Sequence, residues 1–275
     1  MTTPSGVLHV VATPIGNLGD LSPRAAEVLR TASRILAEDT RHSRVILDRC
    51  GATAPVDAYH EHNEAKATST ILGRLAAGES IALITDAGTP LVSDPGARLV
   101  AAAIAAGIRV EPIPGPSAIL AALVGAGLPA DRFTFFGFLE RKGKARMEAI
   151  ADIVALPHTA VLYEAPGRVA ALLAQLAEAG AGARPACVAR ELTKQYEEFA
   201  RGTVAELAAR YADADPRGEV VVVLGGAPPV EVDEEALRAR VQALRAEGMS
   251  ARDVSRVLSM ECGAPRNLAY RLAHE

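Results

Sequence analysis

Short apolar runs rich in β-branched residues alternate with Ala- and Leu-rich amphipathic stretches along most of this chain. The runs are typical of buried strands, and the longer stretches have the apolar spacing of helices. The predicted strands include residues 7–13, 34–37, 80–85, 109–113, 133–138, 159–163, 186–190 and 219–224. Strands and helices that alternate through short connections form largely parallel sheets covered on both faces. The sequence therefore predicts an α/β fold.

The proline-rich segment 114–116 interrupts this alternation, which then starts again. The chain has 275 residues, enough for about two domains of ~150 residues each. We therefore predict an N-terminal α/β domain over 1–115 and a C-terminal α/β domain over 116–226, both with mostly parallel sheets. The Pro- and acid-rich stretch from 227 onwards predicts a linker to a small helical module that ends at 275.

The composition disfavours several classes of protein. Lys and Arg number 29 against 33 Asp and Glu, a net charge of −4, which argues against a surface coated with positive charge but leaves room for a local basic patch. The three cysteines lie far apart, which disfavours a disulfide framework and a Cys-based zinc site. The N-terminus lacks the pattern of a secretory signal, and the apolar runs are shorter than the ~20 residues of a spanning helix. We expect a soluble cytoplasmic protein with no membrane association.

The familiar nucleotide-binding fingerprints are missing. No G-x-G-x-x-G follows a predicted strand, which excludes the ordinary dinucleotide or Rossmann-methyltransferase loop. Residues 73–80 approach a phosphate-binding loop, but Glu79 stands where that loop requires Lys. His60 and His62 flank Glu61 at a spacing that is not a recognised metal-ligand pattern, and we expect no metal site.

Three Gly- and Pro-rich loops follow predicted strands, at residues 13–20, 86–96 and 114–118. Ligands of open α/β sheets bind beyond the carboxyl ends of the strands, so these loops predict one binding crevice. Asp86 follows a buried strand directly, where its carboxylate can bind an amine, a ribose hydroxyl or a cation, or cap a turn. Ser117 opens a helix, either as its N-cap or as a ligand group.

Six ordered motifs carry a resemblance to a known family. They are TPIGNL at 13–18, EDTR at 38–41, DAGTP at 86–90, SDPG at 93–96, PGPSA at 114–118 and YEAPGR at 163–168. Together they resemble the tetrapyrrole methylase superfamily, and within it the branch that methylates the ribose 2′-hydroxyl of a decoding-centre cytidine in 16S rRNA. The resemblance covers about residues 5–226.

The resemblance implies that S-adenosylmethionine binds in a cleft between two α/β domains, and that the chain forms a homodimer. It implies donor contacts from residues of both domains, which are Pro14, Asp86, Gly88, Thr89, Pro90, Ser117, Ala118, Tyr163, Leu192 and Gly218. It also implies 16S rRNA, within the 30S ribosomal subunit, as the partner.

Methylation of a ribose hydroxyl needs a base or a cation beside it, because the hydroxyl is a weak acid. The catalytic candidates are Asp39 and Glu38 after the second strand, and Glu164 and Lys194 in the second domain. The cluster 60–63 (HEHN) is a further candidate. Each has a plainer interpretation as an acid pair at a helix start or as a polar loop, and no residue is singled out as the base.

Two segments are candidates for contact with RNA. Residues 140–148 (ERKGKARME) hold four cations and fit a flexible phosphate-binding loop or a solvated helix start. The Arg-rich segment 238–275 could dock on RNA or cover the second domain. Two alternative functions stay open: a precorrin-type small-molecule methyltransferase of the same superfamily, and a non-catalytic module for ligand sensing or RNA assembly.

Overall fold

Ten strands form two five-stranded sheets in the part of the chain that the structure describes, residues 6–228 and 233–275 of a computed structural model. Contacts divide the chain into two units, Met1–Ala227, which holds both sheets, and Pro228–Glu275. The domain boundaries predicted from the sequence stay a prediction. No helix in the described ranges is both long enough and apolar enough to span a membrane.

The first sheet is wholly parallel, in the order β3-β2-β4-β1-β5. Its elements are β1 (Val7–Val11), α1 (Pro23–Thr31), β2 (Arg34–Ala37), α2 (Arg44–Cys50), β3 (Val56–Ala58), α3 (Glu64–Ala76), β4 (Ile81–Leu83), α4 (Ala97–Ala105) and β5 (Arg109–Ile113). Along β4, Ile81 and Leu83 face one core and Ala82 faces the other. Helices thus cover both faces, as the alternating sequence predicts.

The loops after β1 and β4 lie side by side at the carboxyl edge of this sheet. The strands β1 and β4 are neighbours, and the chain leaves them in opposite directions, towards β2 and β5. Thr13 and Gly88 exchange both backbone hydrogen bonds, with N···O distances of 2.8 and 3.0 Å. A crevice at such a switch point is where open α/β sheets bind ligands.

The second sheet is mixed, in the order β6-β7-β10-β8-β9. Its elements are β6 (Phe133–Phe138), α6 (Lys144–Ala155), β7 (Thr159–Glu164), α7 (Val169–Leu176), β8 (Pro185–Arg190), β9 (Glu198–Thr203), α8 (Val204–Tyr211) and β10 (Val220–Leu224). Only β6 and β7 pair in parallel, and the other three pairings are antiparallel. The expected parallel arrangement therefore holds for the first sheet and for one pairing of the second. The loop 191–197 is too short for a crossover, so β8 and β9 must run antiparallel.

Helix α5 (Ala118–Ala126) follows the first sheet in the chain but packs on the second. Ile119 and Leu123 share a core with Val161 and Val221 of the second sheet. The opposite face of that sheet is covered by α6, α7 and α8. Since Ile15, from the loop after β1, joins the α5 core, the two sheets are connected through one apolar cluster.

The unit Pro228–Glu275 contains α9 (Glu234–Ala246), α10 (Ala251–Glu261) and α11 (Arg266–His274), in line with the predicted helical module. Part of the predicted linker, residues 229–232, lies outside the described residues. Several arginines of this unit pair with its own acids: Arg238 with Glu234 and Glu275, Arg271 with Glu234, and Arg256 with Asp253. These arginines therefore have partners within the unit, although exposed pairs of this kind are weak.

Candidate active site

Two adjoining cavities lie where the carboxyl edge of the first sheet faces the second sheet. The first has a volume of about 320 Å³, within the usual range for small-molecule sites of ~300–1,000 Å³. Its walls come mainly from the loop 86–96, the start of α5, the end of β7, the loop before β9, and the segment from the loop after α8 into β10. The lining residues are Ile15, Ala87, Gly88, Thr89, Val92, Ser93, Asp94, Ser117, Ala118, Phe138, Tyr163, Glu164, Ala165, Pro166, Leu192, Gly218, Glu219, Val220 and Val221.

Most of the predicted donor contacts meet at this first cavity. They are Gly88, Thr89, Ser117, Ala118, Tyr163, Leu192 and Gly218. Pro14 and Asp86 instead line the second cavity. Pro90 is buried and lines neither cavity.

The second cavity has a volume of about 230 Å³ and shares Ile15, Ala87 and Glu219 with the first. Its other lining residues are Pro14, Gly16, Leu18, His42, Ser43, Val45, Ile46, Thr85, Asp86 and Lys194. The segment 42–46 of this wall was not recognised as part of a site from the sequence. It comprises the two residues before α2 and the first turn of that helix, which the predicted strand pattern leaves out.

The loop 86–96 is held in an unusual backbone conformation. Leu91 and Ser93 have φ values of 75° and 68°, in a region that side chains other than Gly rarely adopt. Thr89 donates its hydroxyl to the carbonyl of Pro116 at 3.2 Å, which ties this loop to the start of α5. Backbone strain of this kind collects at binding sites, where the surrounding structure enforces it.

Gly218 allows the loop before β10 to approach the second-sheet loop 191–197 closely. Its φ is +85°, and a Cβ there would lie 2.1 Å from Glu191 Oε1. That carboxylate accepts hydrogen bonds from the Glu219 N–H at 3.1 Å and from Lys194 Nζ at 2.9 Å. Only glycine leaves room for this arrangement.

Asp94 is an acidic group of the first cavity that was not predicted as a site residue from the sequence. Burial, reinforced by the nearby Glu38 and Asp86 carboxylates, raises the pKa of Asp94 to about 6. Burial, followed by the charges of Asp94 and Glu219, raises the pKa of Tyr163 to about 12. The motif at 93–96 was the signal that could have identified Asp94. A half-buried acid that titrates near neutrality is a candidate for binding a cation or moving a proton.

The predicted catalytic candidates Glu38 and Asp39 line neither cavity. Glu38 Oε2 accepts the Thr85 hydroxyl at 3.0 Å. Asp39 Oδ1 accepts the N–H groups of Arg41 and His42, and the first of these does most to lower the pKa of Asp39. Asp39 thus caps a turn, whereas the plainer interpretation from the sequence was an acid pair at a helix start. The cluster 60–63 also lines neither cavity.

Glu164 is a buried carboxylate between two guanidinium groups. Arg146 lies 3.5 Å away, Arg168 forms a second ion pair, and the Ala165 N–H donates at 2.9 Å. These three contacts hold the carboxylate in one orientation. Its contacts fit a residue that fixes the wall of the first cavity.

Arg146 also corrects the expectation of a flexible phosphate-binding loop at 140–148. It is buried, and it donates to Gln175 Oε1 at 2.8 Å and to the Glu140 carbonyl at 3.0 Å. Helix α6 begins within this segment, and Lys144 pairs with Glu148. Burial of the Glu164 carboxylate requires a paired cation, which explains why Arg146 points inward.

Lys194 lies in the wall of the second cavity. Its Nζ lies 2.9 Å from Glu191 and 3.0 Å from Glu219. Burial lowers the pKa of Lys194, but hydrogen bonds to Glu191 and Glu219 outweigh that effect, so that the net pKa is raised. Lys194 therefore supplies a positive charge to the second cavity rather than a proton acceptor.

Comparison with known protein families finds a match over most of the chain. The sequence model of the family described as Tetrapyrrole (Corrin/Porphyrin) Methylases matches residues 7–208. This chain belongs to that family. The match spans both sheets apart from β10.

Relatives with assigned names match nearly end to end. A protein of Xylella fastidiosa is 47% identical over 98% of this chain and 99% of its own length, and one of a Synechocystis species is 45% identical over 98% of each. Both are named "Ribosomal RNA small subunit methyltransferase I". A solved structure of uroporphyrin-III C-methyltransferase from Thermus thermophilus, complexed with S-adenosyl homocysteine, has the same fold. It aligns with a TM-score of 0.57 at 22% identity, over 80% of this chain and 97% of that one.

The raised pKa of Asp94 predicts a pH-dependent cost to stability. The folded chain disfavours the ionised form, so stability should fall as the pH rises from about 4 through about 6. Asp94→Asn should therefore raise the Tm at pH 7.5 and leave it unchanged at pH 4. Thermal unfolding followed by circular dichroism across this range measures the difference.

Asp131→Asn is the control, because Asp131 is exposed and lines neither cavity. This variant should change the Tm by the same small amount at both pH values. A Tm gain for Asp94→Asn that does not depend on pH would contradict the raised pKa of Asp94.

Proposed function

We propose that this chain uses S-adenosylmethionine to methylate the 2′-hydroxyl of a cytidine ribose in the decoding centre of 16S rRNA. The observation that carries the proposal is the near full-length similarity to proteins named "Ribosomal RNA small subunit methyltransferase I". The substrate we propose is the 30S subunit, which would place the chain in the cytoplasm. The precorrin-type alternative has less support, because the tetrapyrrole enzyme above resembles this chain only in fold.

The first cavity fits the methyl donor. Apolar walls from Leu192 and Val221 suit an adenine ring, and the Asp94 carboxylate suits a sulfonium or ammonium cation. The positive φ of Gly88, +82°, brings the backbone of the loop 86–96 close to the cavity. When bound, the donor would supply a methyl group already activated by its positive sulfur.

The residues of this chain would then align the acceptor oxygen and remove its proton. Asp86 and Lys194 line the second cavity together. Asp86 Oδ1 accepts the Asp39 N–H at 3.1 Å, which orients the carboxylate. We assign Asp86 as the proton acceptor and Lys194 as the cation that stabilises the developing alkoxide. Glu164 acts as a positioning residue.

Two of the three exposed cations in the segment 140–148 make no ion pair with a described residue and are available to RNA phosphates. Arg141 and Lys142 precede α6 and are exposed. Arg141 also lines a shallow depression that shares Phe138 and Ala165 with the first cavity. The candidate RNA contact in this segment is therefore two residues, and not the four cations that the sequence suggested.

Asp86→Asn should lower kcat for methyl transfer to 30S subunits by about 10²–10⁴-fold, because the amide cannot take up the proton. The Kd of the donor, measured by calorimetry, should change little. Asp152→Asn, at an exposed position of α6, serves as the control and should keep full activity. A wild-type kcat in Asp86→Asn would remove Asp86 from the mechanism.

Mapping of ribose methylation by mass spectrometry tests the proposed substrate. In cells that lack this protein, the decoding-centre 2′-O-methyl group should be missing from 16S rRNA, and the purified chain should restore it on isolated 30S subunits. An intact methyl group in those cells would refute the proposed substrate. Transfer to a precorrin instead of the subunit would favour the small-molecule alternative.

We also propose that the chain forms a homodimer through α5. This helix carries no polar side chain, yet Leu120 and Val124 are 54% and 81% exposed on one of its faces. A helix that is apolar all round is normally buried on every side. A second copy of the chain would cover this face.

Val124→Glu should therefore shift the molecular mass in solution from dimer to monomer, because it places a charge in an apolar contact. Light scattering coupled to size exclusion measures the mass. Ile104→Glu adds the same charge to a single exposed apolar residue of α4 and should leave the dimer intact. A monomeric wild type would overturn this proposal.

A further inference from the structure

The second cavity contains a buried hydroxyl without a partner. Ser43 is 3% exposed and lines the cavity, and its Oγ makes no hydrogen bond with any residue that the structure describes. Ser43 precedes α2, where a serine usually caps the helix, but it makes no capping bond. A buried hydroxyl left unpaired costs free energy, and such groups call for an explanation. A ligand that supplies the missing partner would provide one.

The rim of the same cavity is apolar and exposed. Leu18 is 39% exposed and Val45 is 61% exposed, and both line the cavity. They come from different loops, one after β1 and one in α2. Two large apolar side chains above a polar floor suit a flat ligand with an apolar face and a polar edge, which is the chemistry of a nucleobase.

The position of this cavity suits the acceptor of a methyl group. In-line transfer places the acceptor oxygen about 3–3.5 Å from the methyl carbon. The second cavity shares Ile15, Ala87 and Glu219 with the donor cavity, so ligands in the two would be immediate neighbours. Asp86 and Lys194, the proposed proton acceptor and cation, line the second cavity and not the first.

We infer that the second cavity holds one unstacked ribonucleoside of the RNA substrate, with its base between Leu18 and Val45 and a polar edge atom bonded to the Ser43 hydroxyl. This inference rests on the proposed function. The 2′-oxygen forms a bond to the methyl carbon as the carbon–sulfur bond breaks. The electron pair of the carbon–sulfur bond stays on sulfur. The 2′-hydroxyl proton passes to Asp86.

The same segment offers cations for the flanking phosphates. Arg41 and Arg44 are exposed on either side of the cavity residues His42 and Ser43. Each makes one exposed ion pair, with Asp39 and Asp48. Pairs of this kind are weak in water, so both side chains can turn to phosphate.

Ser43→Ala separates this role from a structural one. Loss of one hydrogen bond to the nucleoside should raise the KM for 30S subunits about fivefold. The donor Kd should stay within twofold, and the Tm of the free protein should not fall, because the variant removes an unpaired group. A raised donor Kd would assign the cavity to the donor instead and overturn the inference. Unchanged values of KM and donor Kd would also overturn it.

Val45→Glu provides a second test that does not depend on a buried position. A negative charge on the rim should repel RNA and raise the KM for 30S subunits at least tenfold, with the donor Kd unchanged. Ile104→Glu carries the same charge on α4, outside both cavities, and should keep the wild-type KM. If Ser43→Ala proved unstable, an unchanged KM in Val45→Glu would alone refute the inference.

The proposed function and the acceptor site can be refuted separately. If the wild-type chain transfers no methyl group to ribosomal RNA, the proposed function falls and takes this inference with it. If the wild type is active but both variants keep its KM, the function stands and the acceptor site lies elsewhere.

Discussion

The packing of α5 on the second sheet is the contact on which the site depends. The helix begins at the carboxyl edge of the first sheet, yet Ile119 and Leu123 are buried against β7 and β10. Because apolar burial of this kind is worth roughly 1.5–3 kcal/mol per large side chain, it holds the strand-end loops of one sheet opposite the other. The cavities are the space that these loops leave between them.

Charge is distributed around this space according to burial. Glu164 has almost no access to water and takes two arginines as partners, as the cost of an unpaired buried charge requires. Asp94 is only half-buried and lies among acids, so its pKa rises. Lys194 keeps its charge between two glutamates. Under the proposed function, this distribution assigns Glu164 to structure, Asp94 to cation binding and Lys194 to the acceptor side.

The strand-end loops could be predicted from the sequence because Gly and Pro mark them directly. Residues 86–89 and 117–118 of these loops line the cavities. The strand β9 could not be predicted in the same way. It carries Glu198, Arg201 and Gly202 and has no run of β-branched residues. Helix α2 is one short segment, and its place beside the loop after β1 is set by tertiary packing. The burial of Arg146 could not be predicted either. A local run of charged residues does not show which carboxylate is buried near it in the fold.

The two cavities differ in what builds their walls. Small residues and backbone supply much of the first, as at Ala87, Gly88 and Ala118, whereas the second presents the side chains of His42, Ser43 and Val45. Sequence drift would therefore act unequally on them. If the second cavity binds the acceptor as we propose, exchanges in the few positions around the start of α2 would change which molecule is modified and would leave the donor cavity unaltered.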